Sequence, residues 1–199
     1  MKSTAMKLSF IGATLLTATT SALAGGPSFS CEGVKEGSIE ALICENKTLS
    51  SLDRIMGNVY KQAKEKAGDG MIKELKAMQR GWIKGRNDCW KSDDKMSCVA
   101  DSYQNRTVAL QAKYRLVDAD GPHYLGCDGD ARNEVVVTHF DTAPASLIAE
   151  RGDASSLMIQ QESGEYKGRN ESMVKNPAGK YVVVWGYEAP EMDCEVKAQ

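Results

Sequence analysis

Histidine is scarce in this chain: His123 and His139 are the only two. A general base or a zinc centre built on imidazole therefore has little to draw on. Neither histidine stands at ligand spacing from a pair of cysteines, and no C-x-x-C pair occurs. Also missing are the G-x-S-x-G nucleophile elbow, the H-E-x-x-H zinc helix, the P-loop and the G-x-G-x-x-G dinucleotide turn. Without a nucleophile, base or metal set, the chain reads as a binding protein and not an enzyme, with no cofactor and no metal. Long apolar runs are absent as well. The run from Leu8 to about Leu16 is too short to cross a bilayer, which takes about 20 apolar residues.

What that run does fit is a secretory signal. Lys2 and Lys7 precede it, Ala22-Leu23-Ala24 offers a small-residue cleavage site, and residues 1–24 are read as a signal peptide. The nearest cysteine after the cut is Cys31, so a lipid anchor on a first-residue cysteine is not expected. The mature chain is expected to be soluble and periplasmic. An apolar content of 42% over 199 residues suits one domain or two small ones.

Six cysteines follow the signal: Cys31, Cys44, Cys89, Cys98, Cys127 and Cys194. An even count in an exported chain favours disulfides over metal ligation, although six cysteines allow about fifteen connectivities. Charge divides the same region. Residues 27–118 carry 16 Lys and Arg against 13 Asp and Glu, whereas residues 119–199 carry 7 against 14. So acidic a second half disfavours nucleic acid and anionic lipid, and it would speed encounter with a cationic protein. Acidic surfaces also simply keep secreted domains in solution.

From Ser38 to about Leu116 the apolar residues recur at helical spacing. Leu49, Leu52, Ile55, Met56, Val59, Tyr60 and Ala63 make one stripe, with Thr48 as its expected N-cap and Gly68 and Gly70 as its stop. Ile72, Leu75, Met78, Trp82, Ile83, Arg86 and Cys89 make a second; Met96, Val99, Tyr103, Leu110 and Tyr114 a third. The polar segment 91–95 separates the last two. The pattern predicts three helices behind a short leading turn near Ile39. If the first two helices pack antiparallel, Cys31 and Cys44 approach Cys89 and Cys98. The pairs expected from that geometry are Cys31 with Cys89 and Cys44 with Cys98, other pairings remaining open. Trp82 and Arg86 share a helix face, where they can clamp a partner or, as stripe residues usually do, fill the core while Gln79 and Arg86 bond neighbouring elements near Asp53.

Beyond Val117 the pattern changes. The turn formers of 118–122 mark a boundary, and short β-branched or aromatic runs follow at 123–127, 134–140, 146–150, 156–161, 165–168, 171–174, 180–187 and 193–197. Eight short strands predict a small antiparallel barrel or sandwich, in which Cys127 and Cys194 meet where the sheet closes. The fold class is thus α+β in two domains: a disulfide-stapled three-helix unit at 28–117 and a small eight-stranded antiparallel β-barrel at 122–199. Within the second, Ser163-Gly164 offers a turn with a free hydroxyl, and Lys175, one of few cations there, precedes another turn. A hydroxyl and an ammonium projecting from one end of a barrel are suitable ligands for carboxylates.

The helical half resembles the LprI-type domain, a cysteine-stapled module of bacterial envelopes. The likeness rests on Ile43-Cys44 through Leu49, Leu52 and Asp53, then Gln79-Arg80-x-Trp82-x-x-x-Arg86-x-x-Cys89, then Cys98 and Tyr103-x-x-Arg106. The second half resembles the MliC/PliC domain of c-type lysozyme inhibitors, an eight-stranded barrel. Here the matching residues are Tyr124-x-x-Cys127-x-Gly129, Ser163-Gly164-x-Tyr166, Lys175 and Cys194. In that family a serine and a lysine on adjacent loops enter the lysozyme cleft and engage its carboxylates. The resemblance implies that Ser163, Gly164, Tyr166 and Lys175 bind lysozyme. The chain departs from the family pattern at Met173-Val174-Lys175-Asn176, where Trp-x-Lys-Gly is common, and at Glu165, where a small residue is common. The function implied is a periplasmic inhibitor of host c-type lysozyme; the alternative is a non-inhibitory envelope module that binds another protein or a glycan.

Overall fold

A computed structural model describes residues 25–197. The signal-peptide expectation for 1–24 lies outside the described residues. Two units follow one another in the chain, each with its own apolar core.

The first contains α1 (Ile39–Glu45), α2 (Lys47–Lys66), α3 (Asp69–Asn87), a 3-10 turn (Asp88–Lys91) and α4 (Lys95–Lys113). Three long helices stand where the three stripes predict them, and the leading turn is a short helix. The N-cap of α2 is Asn46 and not Thr48: the Asn46 side chain accepts a hydrogen bond from Leu49 N, which satisfies one of the free first-turn amides. Segment 91–95 breaks the pattern as expected, and Asp94 caps α4 by accepting from Ser97 N. The inner face holds Leu49, Met56, Val59, Leu75, Val99 and Tyr103. Ile55, Met78 and Met96, placed on the stripes by spacing, are about half exposed.

The disulfides correct the sequence expectation. They join Cys31 to Cys44 and Cys89 to Cys98, each within a short stretch, not across the unit. The expected pairs assumed a helical hairpin of α2 and α3, but α2 packs mainly on α4. Cys44 on α1 folds back onto the segment before it, and the 3-10 turn carries Cys89 round to the first turn of α4.

The second unit is a closed barrel in which strands that follow one another in the chain lie side by side. Its members are β1 (Ala119–Cys127), β2 (Asp130–Phe140), β3 (Ser146–Arg151), β4 (Ala154–Gln160), β5 (Tyr166–Lys167), β6 (Glu171–Lys175), β7 (Tyr181–Trp185) and β8 (Glu191–Val196). All eight predicted strands are present. β1 starts earlier than expected, at Ala119, because the Asp-Gly-Pro signal forms an irregular strand instead of a turn, with a register shift between Asp120 and His123. Gly121 makes this possible: its φ is +128°, and a Cβ there would lie 2.8 Å from the Val137 carbonyl oxygen. β8 closes the ring against β1, and Cys127 and Cys194 are register partners joined by the third disulfide.

Candidate functional site

Strand alternation decides which side chains reach the barrel interior. Leu125 and Cys127, Val135 and Val137, Met158, Met173 and Val183 are buried inside. Two residues further along the same inward rows stand His139 on β2, Gln160 on β4, Lys175 on β6 and Tyr181 on β7. These four, with Ser163, Gly164, Tyr166, Met173 and Val174, line one pocket of about 300 Å³.

Two turns frame it. Residues 161–165 join β4 to β5: Gln161 N donates to Glu165 O at 2.8 Å and Gly164 N to Gln161 O at 2.9 Å. Gly164 has φ +86°, a left-handed conformation that favours glycine. Ser163 is exposed, and among the described residues its hydroxyl has only a long contact from Glu165 N at 3.4 Å. Residues 176–180 join β6 to β7, and the Asn176 side-chain oxygen accepts from both Ala178 N and Lys180 N at 3.0 Å. Asn176 is therefore a turn-forming residue. Met173 is 1% exposed and belongs to the barrel core.

Lys175 and Tyr181 face each other across β6 and β7, with the ammonium 5.5 Å from the ring centroid. Lys175 makes no ion pair with any of the described residues. Tyr166 lies 5.7 Å edge-on from His139, which in turn lies 6.1 Å from His123. Burial holds His139 below the ordinary imidazole value; His123 and Lys175 push the same way, and Asp120 opposes them. Burial also raises the Tyr166 phenol, with Tyr181 adding to it. The electrostatic character of the pocket is its clearest feature. None of its nine lining residues is Asp or Glu, although the barrel carries 14 of them. Glu165 is not in the lining, and Lys167 binds its carboxylate at 3.1 Å on the outer side of the hairpin. What remains is a concave group of a lysine, a histidine, a serine, two phenols and an amide, all able to donate to an anion.

All four sequence-expected residues, Ser163, Gly164, Tyr166 and Lys175, thus line one pocket, although they arise from one turn and two strands. His139, Gln160 and Tyr181 were not anticipated. The signal for His139 was available: it continues the inward row Val135, Val137.

Trp82 and Arg86 form no exposed clamp. Trp82 packs on Tyr103 and donates from Nε1 to Ser102 O at 3.2 Å. Arg86, 5% exposed, donates to the Tyr103 hydroxyl at 2.7 Å and to Glu40 at 3.1 Å. Tyr103 in turn donates to Asp53 at 2.8 Å, and Asp53 also accepts from Ser28 N at 2.5 Å. Burial pushes the Tyr103 hydroxyl far above the ordinary phenol value, with Arg86 opposing and Asp53 adding to it. This chain ties α1, α2, α3 and α4 together through one buried polar network.

The sequence profile of the family described as "Lysozyme inhibitor LprI" matches residues 31–110, which is the helical unit. The chain is also similar to the Lipoprotein LprI of Mycobacterium bovis and to the proteins of the same name in Mycobacterium tuberculosis strains CDC 1551 and H37Rv, each 32% identical over 131 residues. The alignment takes in 60% of this chain and 64% of each relative, so the chain spans a little under two thirds of their length. No solved structure matches the chain.

Proposed function

We propose that this chain is an exported inhibitor of c-type lysozyme whose barrel, of the MliC/PliC kind, sets Ser163 and Lys175 into the lysozyme cleft and protects peptidoglycan in the periplasm. The observation that carries this reading is the acid-free pocket in an otherwise acidic barrel. Lysozyme needs one protonated and one ionised carboxyl group to cleave its glycosidic bond. An ammonium placed beside that pair favours the ionised form of the acid, and a serine hydroxyl competes for its hydrogen bonds. Exclusion of substrate adds to both. The acidic outer surface suits a cationic enzyme, so association slows as salt rises.

The test is a cell-lysis assay with the full chain. Wild type inhibits at micromolar excess, and Ser163→Ala with Lys175→Ala weakens inhibition at least tenfold while the unfolding midpoint stays within error. A second reading has its own support, because the profile match covers the helical unit and not the barrel. If the double variant inhibits like wild type, activity belongs to the helical unit. Absence of inhibition by wild type leaves a non-inhibitory envelope module.

A further inference from the structure

A second pocket, of about 460 Å³, lies where the two units meet, within the range of about 300–1,000 Å³ usual for small-molecule sites. Its helical wall is formed by Leu75 and Met78 of α3 with Ala109 and Leu110 of α4. The opposite wall is the outer face of the barrel, where Ile148 on β3 and Leu157 on β4 are register partners. An outward apolar pair is unusual on a sheet whose inner face already makes the core, and this pair faces α4.

Into this apolar wall comes one group that is poorly matched to it. Arg106 donates from Nε to Gln79 Oε1 at 2.9 Å. Its Nη2 is shut from water and has no acceptor, the one such buried side-chain atom among the described residues. Burial lowers the guanidinium below its ordinary value, and the phenols of Tyr114 and Tyr60 are the only opposing influences. No Asp or Glu lines the pocket. Lys113 stands in the lining, its ammonium held by the exposed Glu74 at 3.1 Å. A buried donor without an acceptor is costly and calls for a partner, and a guanidinium fork is matched by the two oxygens of a carboxylate.

The geometry points to a binding site for a single-chain fatty acid between the helical unit and the barrel, its carboxylate on Arg106 and Lys113 and its alkyl chain between α3, α4 and the Ile148–Leu157 pair. To meet the head group the Arg106 fork turns from the wall toward the cavity, exchanging its Nε bond to the neutral Gln79 amide for bonds to a charged carboxylate. The site shares no residue with the pocket of Ser163 and Lys175 and does not depend on the lysozyme reading.

Isothermal titration of the full chain with dodecanoate, below its micelle concentration, tests it, with dodecyltrimethylammonium as a control of equal tail and opposite charge. Dodecanoate is expected to saturate at one per chain and the cation to bind at least tenfold more weakly. Arg106→Met should weaken dodecanoate at least tenfold, and Leu157→Trp, which fills the cavity from the barrel side, should abolish binding with an unchanged circular dichroism spectrum. No saturable binding of dodecanoate, equal binding of the two head groups, or unchanged binding by Leu157→Trp each overturns the site.

Discussion

Removing the disulfides in pairs should rank them by the length of chain each one closes. If a cross-link acts by restricting the unfolded chain, its contribution grows with the logarithm of the loop. The Cys127–Cys194 bridge spans 67 residues, which gives about 4.4 kcal/mol at 25 °C. Cys31–Cys44 spans 13 and Cys89–Cys98 spans 9, giving about 2.9 and about 2.6 kcal/mol. Whole domains are stable by only about 5–15 kcal/mol, so the barrel variant should lose a large share of its stability. The assay is urea unfolding of the three double Cys→Ala variants, with far-ultraviolet circular dichroism at the helical band reporting on the first unit and tryptophan fluorescence, to which Trp82, Trp90 and Trp185 contribute, on both. If the Cys89–Cys98 variant loses as much as the Cys127–Cys194 variant, the chain-entropy reasoning fails here and native-state packing sets the order.

Three further outcomes follow from particular contacts. Arg86→Met removes the buried donor to the Tyr103 hydroxyl and to Glu40 and should cost about 3 kcal/mol in urea unfolding, whereas Glu40→Gln, at a 31% exposed partner, should cost under about 1 kcal/mol; equal costs would show that Arg86 acts only through its exposed pair. His139 binds its proton less readily folded than unfolded, so the unfolded chain takes up more protons as pH falls below about 6.5; stability should decline there and level off once the folded imidazole is charged. His139→Gln should flatten that limb, and an unaltered profile would refute the assignment. Gly121→Ala should lower the barrel's unfolding free energy by more than about 1 kcal/mol, since the new methyl meets the Val137 carbonyl at a positive φ; no loss would mean that β1 can relax away.

Much of this architecture was legible because periodicity is a local property. The β-branched runs from Glu134 to Phe140 and from Lys180 to Tyr187 can only be strands, and Leu49 to Ala63 only a helix face. Pairings between distant segments were less accessible. A hairpin of α2 and α3 would carry Cys44 across the helical unit, yet the main partner of α2 is α4, sequentially more distant. The same limit applies to the pocket. Ser163 and Lys175 could be singled out by turn chemistry and resemblance, but the ring that completes the site exists only once the register sets Lys175 opposite Tyr181 and Tyr166 opposite Gln160. Glu165 lies between Ser163 and Lys175 in the chain. Its neighbour two residues on, Lys167, shares the same face of the hairpin and holds it outside.

The order of strands around the barrel has a consequence for how the chain reaches this state. Seven of the eight pairings join strands consecutive in the chain, and each can form soon after its turn does. The eighth, β1 with β8, must wait for all the others, and until it forms the sheet has two open edges that another copy could extend. That seam is where Cys127 and Cys194 are register partners. Oxidation at this position records completion of the ring, and it removes the re-opened edges from the states that a folded molecule visits.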